Sequence, residues 1–123
     1  MGITYEAIVE VRHQYPSGSR WDFAGYFNLG GKVYDFVDVI CGEHNHVNRW
    51  PDDLSHWVKD YQEIDPMDLT SSRYVVPLMV AVRRVNAHVQ PIPDKTWNNV
   101  AFVQYILSLA SSGAEGRILV WGS

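Results

Sequence analysis

Apolar and polar residues alternate at the start of the chain, over residues 3–13. Tyr5 and Val9 fall on one side of this segment, and Glu10 falls on the other. A period of two residues is typical of a strand with one buried face and one face in water. The pattern predicts a first strand over 3–13. An exposed loop should follow over 14–20, where turn-forming residues are frequent.

Two apolar runs follow, over residues 21–29 and 32–41, and the pair Gly30-Gly31 separates them. Adjacent glycines tolerate the positive φ angles of a tight hairpin turn. We therefore predict two antiparallel strands over these runs. The second strand is apolar on both sides, so it should lie at the centre of the sheet.

Two other segments have the spacing of an amphipathic helix. In residues 51–62 apolar side chains recur at i, i+3, i+4 and i+7, and Pro51 suits a first helical position. In residues 96–111 one half of the helical wheel is apolar, Thr96 suits the N-cap and Gly113 follows the end. Both segments are predicted to be helices.

The segment over residues 73–85 fits two structures. Its valine-rich run favours a strand, whereas Pro77 is suited to open a helix whose face carries Leu78 and Val82. We predict a strand here and a last strand over residues 117–121. Together the elements predict one compact α+β domain over residues 1–123, with two helices packed on a twisted, mostly antiparallel sheet of about five strands.

Composition and net charge limit the classes of protein to which this chain can belong. The chain has 123 residues, a net charge of -4 and one cysteine, Cys41, which cannot form a disulfide within the chain. The sequence has no signal-peptide pattern and no apolar run long enough for a membrane span. We expect a soluble, cytoplasmic protein that binds no membrane and, because of its acidity, no long nucleic acid.

The spacing Cys41-x-x-His44-x-His46 is the most suggestive pattern for chemistry. Zinc requires three or four ligands, and no further residue has the spacing of a known site. Motifs for a serine, cysteine or metal-dependent hydrolase are absent from the sequence. We therefore predict no metal and no cofactor. The alternative is a small hydrolase that uses His44 and His46 with a carboxylate, with or without a metal.

The chain is rich in side chains that dominate binding sites. Aromatic residues make up 13% of it, and it has more arginine than lysine. Tryptophan, tyrosine and arginine offer large rigid contact areas with a polar group. The candidate ligand-binding residues lie on predicted loops and on the second helix: Tyr15, Arg20, Trp21, His44, His46, Arg49, Trp50, Trp97 and Tyr105.

These observations favour a small non-catalytic binding protein that sequesters or inhibits a partner. In one version the partner is another protein or a second copy of the chain, which would form a homo-oligomer. In the other version it is a small anionic ligand such as a nucleotide, with its base stacked on Trp or Tyr. Its phosphates would be held by Arg20, by Arg49 or by the Arg83-Arg84 pair.

Overall fold

The structure is a computed structural model that describes residues 4–31, 34–42, 45–60, 72–87 and 97–122. These residues form four strands and four helices: β1 (Thr4–Tyr15), β2 (Gly18–Gly31), α1 (Tyr34–Cys41), α2 (His56–Asp60), β3 (Ser72–Pro77), α3 (Leu78–Ala87), α4 (Trp97–Ser111) and β4 (Gly116–Gly122). The fold is α+β, as the pattern predicted.

The described strands form one open antiparallel sheet in the order β2-β1-β4-β3. The first and last strands of the chain are therefore the central pair. The register between β1 and β2 shifts twice and leaves Ala24 and Leu29 without a partner on β1. Each shift bends and twists the outer strand β2.

The prediction of a strand over 32–41 is wrong, because α1 occupies Tyr34–Cys41. The buried residues of this helix are Phe36, Val37, Ile40 and Cys41, which is the spacing of one helical face. The β-branched residues in this run favour a strand, so the helical spacing was not recognised from the sequence. The predicted hairpin turn at Gly30-Gly31 and the central position of this segment are wrong for the same reason.

The hairpin lies one element earlier in the chain. β1 and β2 pair from Thr4 with Gly31 to Tyr15 with Gly18, so only Pro16 and Ser17 connect them. The predicted loop over 14–20 is therefore mostly strand. The glycine that follows the turn has a φ of 122°, a value that side chains disfavour.

Both structures considered for residues 73–85 occur, one after the other. β3 ends at Pro77, which has no N–H to continue the ladder, and α3 begins at Leu78. The predicted strand is thus wrong beyond Pro77. The helix predicted over 51–62 is shorter, since α2 covers His56–Asp60, and residues 61–62 lie outside the described residues.

The sheet has two covered faces. We call the side under α1, α3 and α4 the helical face; its core contains Val9, Phe36, Leu78, Phe102 and Ile118. We call the side under residues 45–60 the loop face; its core contains Ile8, Trp50, Leu54, Val58, Leu119 and Trp121. The alternation in β1 and β4 supplies both cores, because successive residues of a strand point to opposite faces.

Candidate functional site

The β1–β2 hairpin continues beyond the rest of the sheet and forms one wall of a pocket. β4 begins at Gly116, opposite Val11, so the hairpin residues after Val11 project past it. A pocket of about 230 Å³ lies between this projecting end and residues 53–59. We call it the polar pocket; it is lined by Arg12, Ser19, Arg20, Trp21, Asp53, Leu54, Ser55, His56 and Lys59.

Trp21 is fixed in the wall of the polar pocket from two directions. Its ring lies over the guanidinium of Arg117, 4.2 Å from the ring centroid, and its indole Nε1 donates a hydrogen bond of 3.1 Å to Asp53 Oδ2. A cation against an indole face is stabilised by the ring's quadrupole. The aromatic wall of the pocket is therefore held in place by the residues beneath it.

Arg117 is the centre of an ionic network at the pocket that is buried at Glu10 and exposed at Asp53. Its Nε donates to Glu10 Oε1 at 2.8 Å, and its Nη1 donates to Asp53 Oδ1 at 2.9 Å. The other carboxylate oxygen of Glu10 accepts a hydrogen bond of 2.7 Å from the Ser55 backbone N–H. Glu10 is fully buried and the Arg117 side chain is 10% exposed. The network therefore joins β1, β4 and the loop-face segment at one point.

The Asp53 carboxyl is kept ionised by its neighbours. Partial burial by itself raises its pKa, but hydrogen bonds and positive charge from Arg117, with a further hydrogen bond from Trp21, outweigh that effect. The net result is a pKa below the usual range for aspartate. Asp53 is the only carboxylate among the described residues that line the polar pocket, and it shares the Arg117 guanidinium with Glu10.

The remaining charges on the polar pocket are positive. Arg12, Arg20 and Lys59 line it, and the Arg12 guanidinium donates from Nε and Nη2 to Ser19 Oγ at 3.0 and 2.8 Å. Glu115 lies 3.7 Å from Arg12, but both side chains are well exposed, so water screens this ion pair. Three cationic side chains thus line the pocket on a chain whose net charge is -4, and two of them, Arg12 and Arg20, are also paired with nearby carboxylates.

A second cluster lies beside the pocket at the end of the hairpin, around Asp22. Its Oδ2 accepts a hydrogen bond from the Tyr15 hydroxyl and lies 2.8 Å from His13 Nδ1, while Arg20 Nε is 3.3 Å from Oδ1. The hydrogen bonds from Tyr15 and then His13 hold the pKa of this carboxyl below its usual range. The Arg20 guanidinium also lies over the Tyr15 ring, 4.0 Å from its centroid. The cluster positions Arg20 at the pocket edge.

A larger, mostly apolar pocket of about 430 Å³ also borders Trp21. We call it the apolar pocket; it is lined by Trp21, Asn45, Val75, Pro77, Leu78, Met79, Glu115, Gly116 and Arg117. It is built where β3 passes into α3 and where β4 begins. Trp21 is the residue that lines both pockets.

The structure brings three of the predicted binding residues together. Arg20 and Trp21 line the polar pocket, and Tyr15 supports Arg20 from beneath. The neighbouring Ser19 also lines it. The residue types of Tyr15, Arg20 and Trp21 predict contact side chains around an exposed first loop, whereas the structure places these three residues in paired strands.

The other predicted binding residues are dispersed. Trp50 is buried in the loop-face core, His46 packs edge to face on Tyr74 at 5.4 Å, and the Tyr105 hydroxyl donates to the Ala24 carbonyl at 2.8 Å. Arg49 is exposed and lies 3.8 Å from Asp52. His44 and the side chain of Trp97 lie outside the described part of the structure.

Several residues of the site were not singled out from the sequence, among them Glu10, Arg12, Lys59 and Arg117. Glu10 and Arg12 stand on the polar side of the first strand pattern, which was expected to face water. That side also holds Ile8, which is fully buried. An isoleucine among charged residues was the available signal that this face is covered by a second layer.

Two other kinds of chemistry, a metal centre and a reactive cysteine, have no support among the described residues. Among them, no three histidine, cysteine, aspartate or glutamate side chains are grouped as metal ligands. Burial raises the pKa of the Cys41 thiol far above its ordinary value, and the charge of Asp38 adds to this effect. A reactive thiolate is therefore disfavoured at this position.

No helix in the described ranges is long and apolar enough to cross a bilayer. Comparison of the chain with protein-family models, curated proteins and solved structures gave no match.

Proposed function

We propose that this protein is a non-catalytic binding protein that holds a small anionic ligand in the polar pocket. The observation that carries the proposal is the convergence of Arg12, Arg20 and Lys59 around one concave site on an acidic chain. Guanidinium and ammonium groups are the usual partners of phosphate and carboxylate oxygens. Arg12 and Lys59 supply the principal contacts, and Arg20 contributes from the edge.

The pocket's other features support a binding role. Trp21 is held in one orientation by Arg117 and Asp53, so a ligand meets a surface that is already ordered. A preorganised site loses less conformational entropy on binding than a mobile one. At about 230 Å³ the pocket is smaller than most sites for drug-sized ligands, so it suits one anionic group rather than a whole nucleotide.

Titration calorimetry with inorganic phosphate and pyrophosphate, at constant ionic strength, tests this proposal. We expect saturable binding, and Arg12→Gln or Lys59→Gln should each weaken it roughly fivefold, the effect of about 1 kcal/mol per charged contact. Arg83→Gln is the matched control, because Arg83, also predicted from the sequence as a phosphate contact, is an exposed cation on α3 that does not line the polar pocket. Absence of binding, or an equal loss in the control, would contradict the proposal.

The version with a protein partner is favoured by a different observation. Trp57 is 44% exposed and stacks on Phe23 with ring centroids 4.1 Å apart, so a large rigid ring is presented to solvent. Such rings are frequent hot spots of interfaces. Light scattering of the wild type and of Trp57→Ala tests self-association. A concentration-dependent dimer that Trp57→Ala converts to a monomer supports this version. A wild type that is monomeric at all concentrations contradicts self-association.

The hydrolase alternative remains a prediction. It depends on His44, which lies outside the described residues, and on His46, which packs against Tyr74. Replacing both histidines with alanine and measuring hydrolysis of a panel of phosphate and carboxylate esters tests it. Activity in the wild type that the double variant loses would favour it over a binding protein.

A further inference from the structure

We infer that the ligand is an amphiphilic anion, whose charged group occupies the polar pocket and whose apolar part occupies the apolar pocket. This inference rests on the proposed function, because it assumes that the polar pocket binds an anion. It adds the chemical class of the ligand: a phosphate or carboxylate that carries an alkyl chain or an uncharged ring.

The two pockets have a lining residue in common. Trp21 lines both, and the Arg12–Glu115 ion pair connects them, since Arg12 lines the polar pocket and Glu115 lines the apolar one. Their guanidinium and carboxylate groups lie 3.7 Å apart. A molecule bound to Arg12 therefore has the apolar pocket within reach beside Trp21.

The two pockets differ in chemistry. Charged, hydroxyl and imidazole groups line the polar pocket beside Trp21 and Leu54. The apolar pocket has Glu115 and Arg117 among its lining, but it is formed mostly by apolar side chains: Val75, Pro77, Leu78 and Met79. Met79 is 51% exposed at the first turn of α3, where it keeps an apolar side chain in contact with water. Covering such surface by a ligand is favourable, whereas covering it with a charged group is not.

The volumes of the two pockets also suit an amphiphilic ligand. The polar pocket alone holds little more than an anionic group, while the apolar pocket, at about 430 Å³, lies within the usual range for bound organic molecules. The two sites are concave, and both border one tryptophan, Trp21. This shape suits a free molecule better than the flat surface of a membrane, so we assign the ligand to the free form.

Titration calorimetry with inorganic phosphate, n-butyl phosphate and n-octyl phosphate, below micellar concentrations, tests the inference. Octyl phosphate should bind at least tenfold more tightly than inorganic phosphate, because each fully buried methylene contributes roughly fourfold in affinity. The double variant Pro77→Gln/Met79→Gln should lose most of that gain and leave phosphate binding unchanged. Tyr26→Gln, at an exposed ring that lines neither pocket, is the matched control.

The outcomes separate the inference from the proposed function. If phosphate binds and Lys59→Gln weakens it, but the alkyl chain adds nothing, the inference is wrong and the proposed function stands. If no probe binds, both are wrong. If octyl phosphate binds tightly and Arg12→Gln and Lys59→Gln do not weaken it, the pockets act separately and the inference is wrong. Sedimentation with phosphatidic acid vesicles, without binding of monomeric octyl phosphate, would also overturn it.

Discussion

The two faces of the sheet are covered in different ways. The helical face is packed by three helices, and its apolar cluster contains no charged side chain, although α4 also buries Asn99, whose side-chain amide has no hydrogen-bond partner among the described residues. The loop face is covered by residues 45–60, in which the described helix is only five residues long, and it holds most of the buried charge. Glu10, Arg73 and Arg117 are all buried there.

This difference indicates a division of roles between the faces. A fully apolar core stabilises a fold but offers no directional group to a ligand. A buried ion pair contributes less to stability, because desolvation of its charges offsets their attraction, but it fixes geometry. Here the Glu10–Arg117 pair fixes Trp21 and Asp53, which are the wall of the candidate site.

The largest effect is expected at Glu10. Glu10→Ala leaves the Arg117 guanidinium and the Ser55 N–H without their buried partner, so the free energy of unfolding should fall by about 3–5 kcal/mol. Urea denaturation measures this loss. Phosphate binding should also weaken, because Trp21 loses its support.

The matched control for Glu10 is Glu115→Gln. Glu115 pairs with Arg12 at 3.7 Å and its side chain is 66% exposed, so its removal should cost less than about 1 kcal/mol. The double variant Glu10→Leu/Arg117→Met should recover much of the stability without recovering binding. A small loss in Glu10→Ala would show that the loop face does not depend on this pair.

A comparison of adjacent residues on β4 tests the division of roles more finely. Ile118 and Leu119 are both fully buried, but Ile118 lies in the helical-face core and Leu119 in the loop-face core. Replacement of either by alanine should lower the free energy of unfolding by about 2–5 kcal/mol. Only Leu119→Ala should weaken phosphate binding, because it loosens the layer that carries Leu54 and Lys59. Equal weakening in both variants would mean that the faces do not act separately.

The smallest effect is expected from pH. The pKa values of Asp53 and Asp22 are depressed in the folded protein, so the unfolded state binds more protons in acid. Their contribution to stability is present above the ordinary pKa of aspartate and is lost as the pH falls through the folded values. Denaturation at a series of pH values should show this loss. Its slope should be shallower in Asp53→Asn, and an unchanged slope would contradict the role of Arg117 at Asp53.

The sequence predicted the long periodic elements well. The first strand and the last helix are confirmed, because each has a sustained pattern of one period. The strand over 32–41 was wrong, because Val37, Val39 and Ile40 favour strands locally while the buried positions follow a helical spacing. Contacts with α3 and the sheet decide between these choices, and a single segment does not contain that information.

The site was predicted only in part. Arg20 and Trp21 were recognised from residue type, since both are frequent in binding surfaces. The network that positions them was not predictable, because Glu10 and Arg117 are separated by 107 residues and each fits an ordinary strand pattern alone. Residues that meet only after the sheet assembles leave no local signal.

The register shifts of β2 affect how readily this edge strand can pair with a strand of another chain. Among the described residues, no strand pairs with the outer edge of β2. A regular unpaired edge is a template for β-augmentation and fibril growth. The shift at Ala24 interrupts that template, and the Tyr105 hydroxyl occupies the Ala24 carbonyl. A fourteen-residue edge is thereby divided into shorter pieces, each a poorer docking site for a foreign strand.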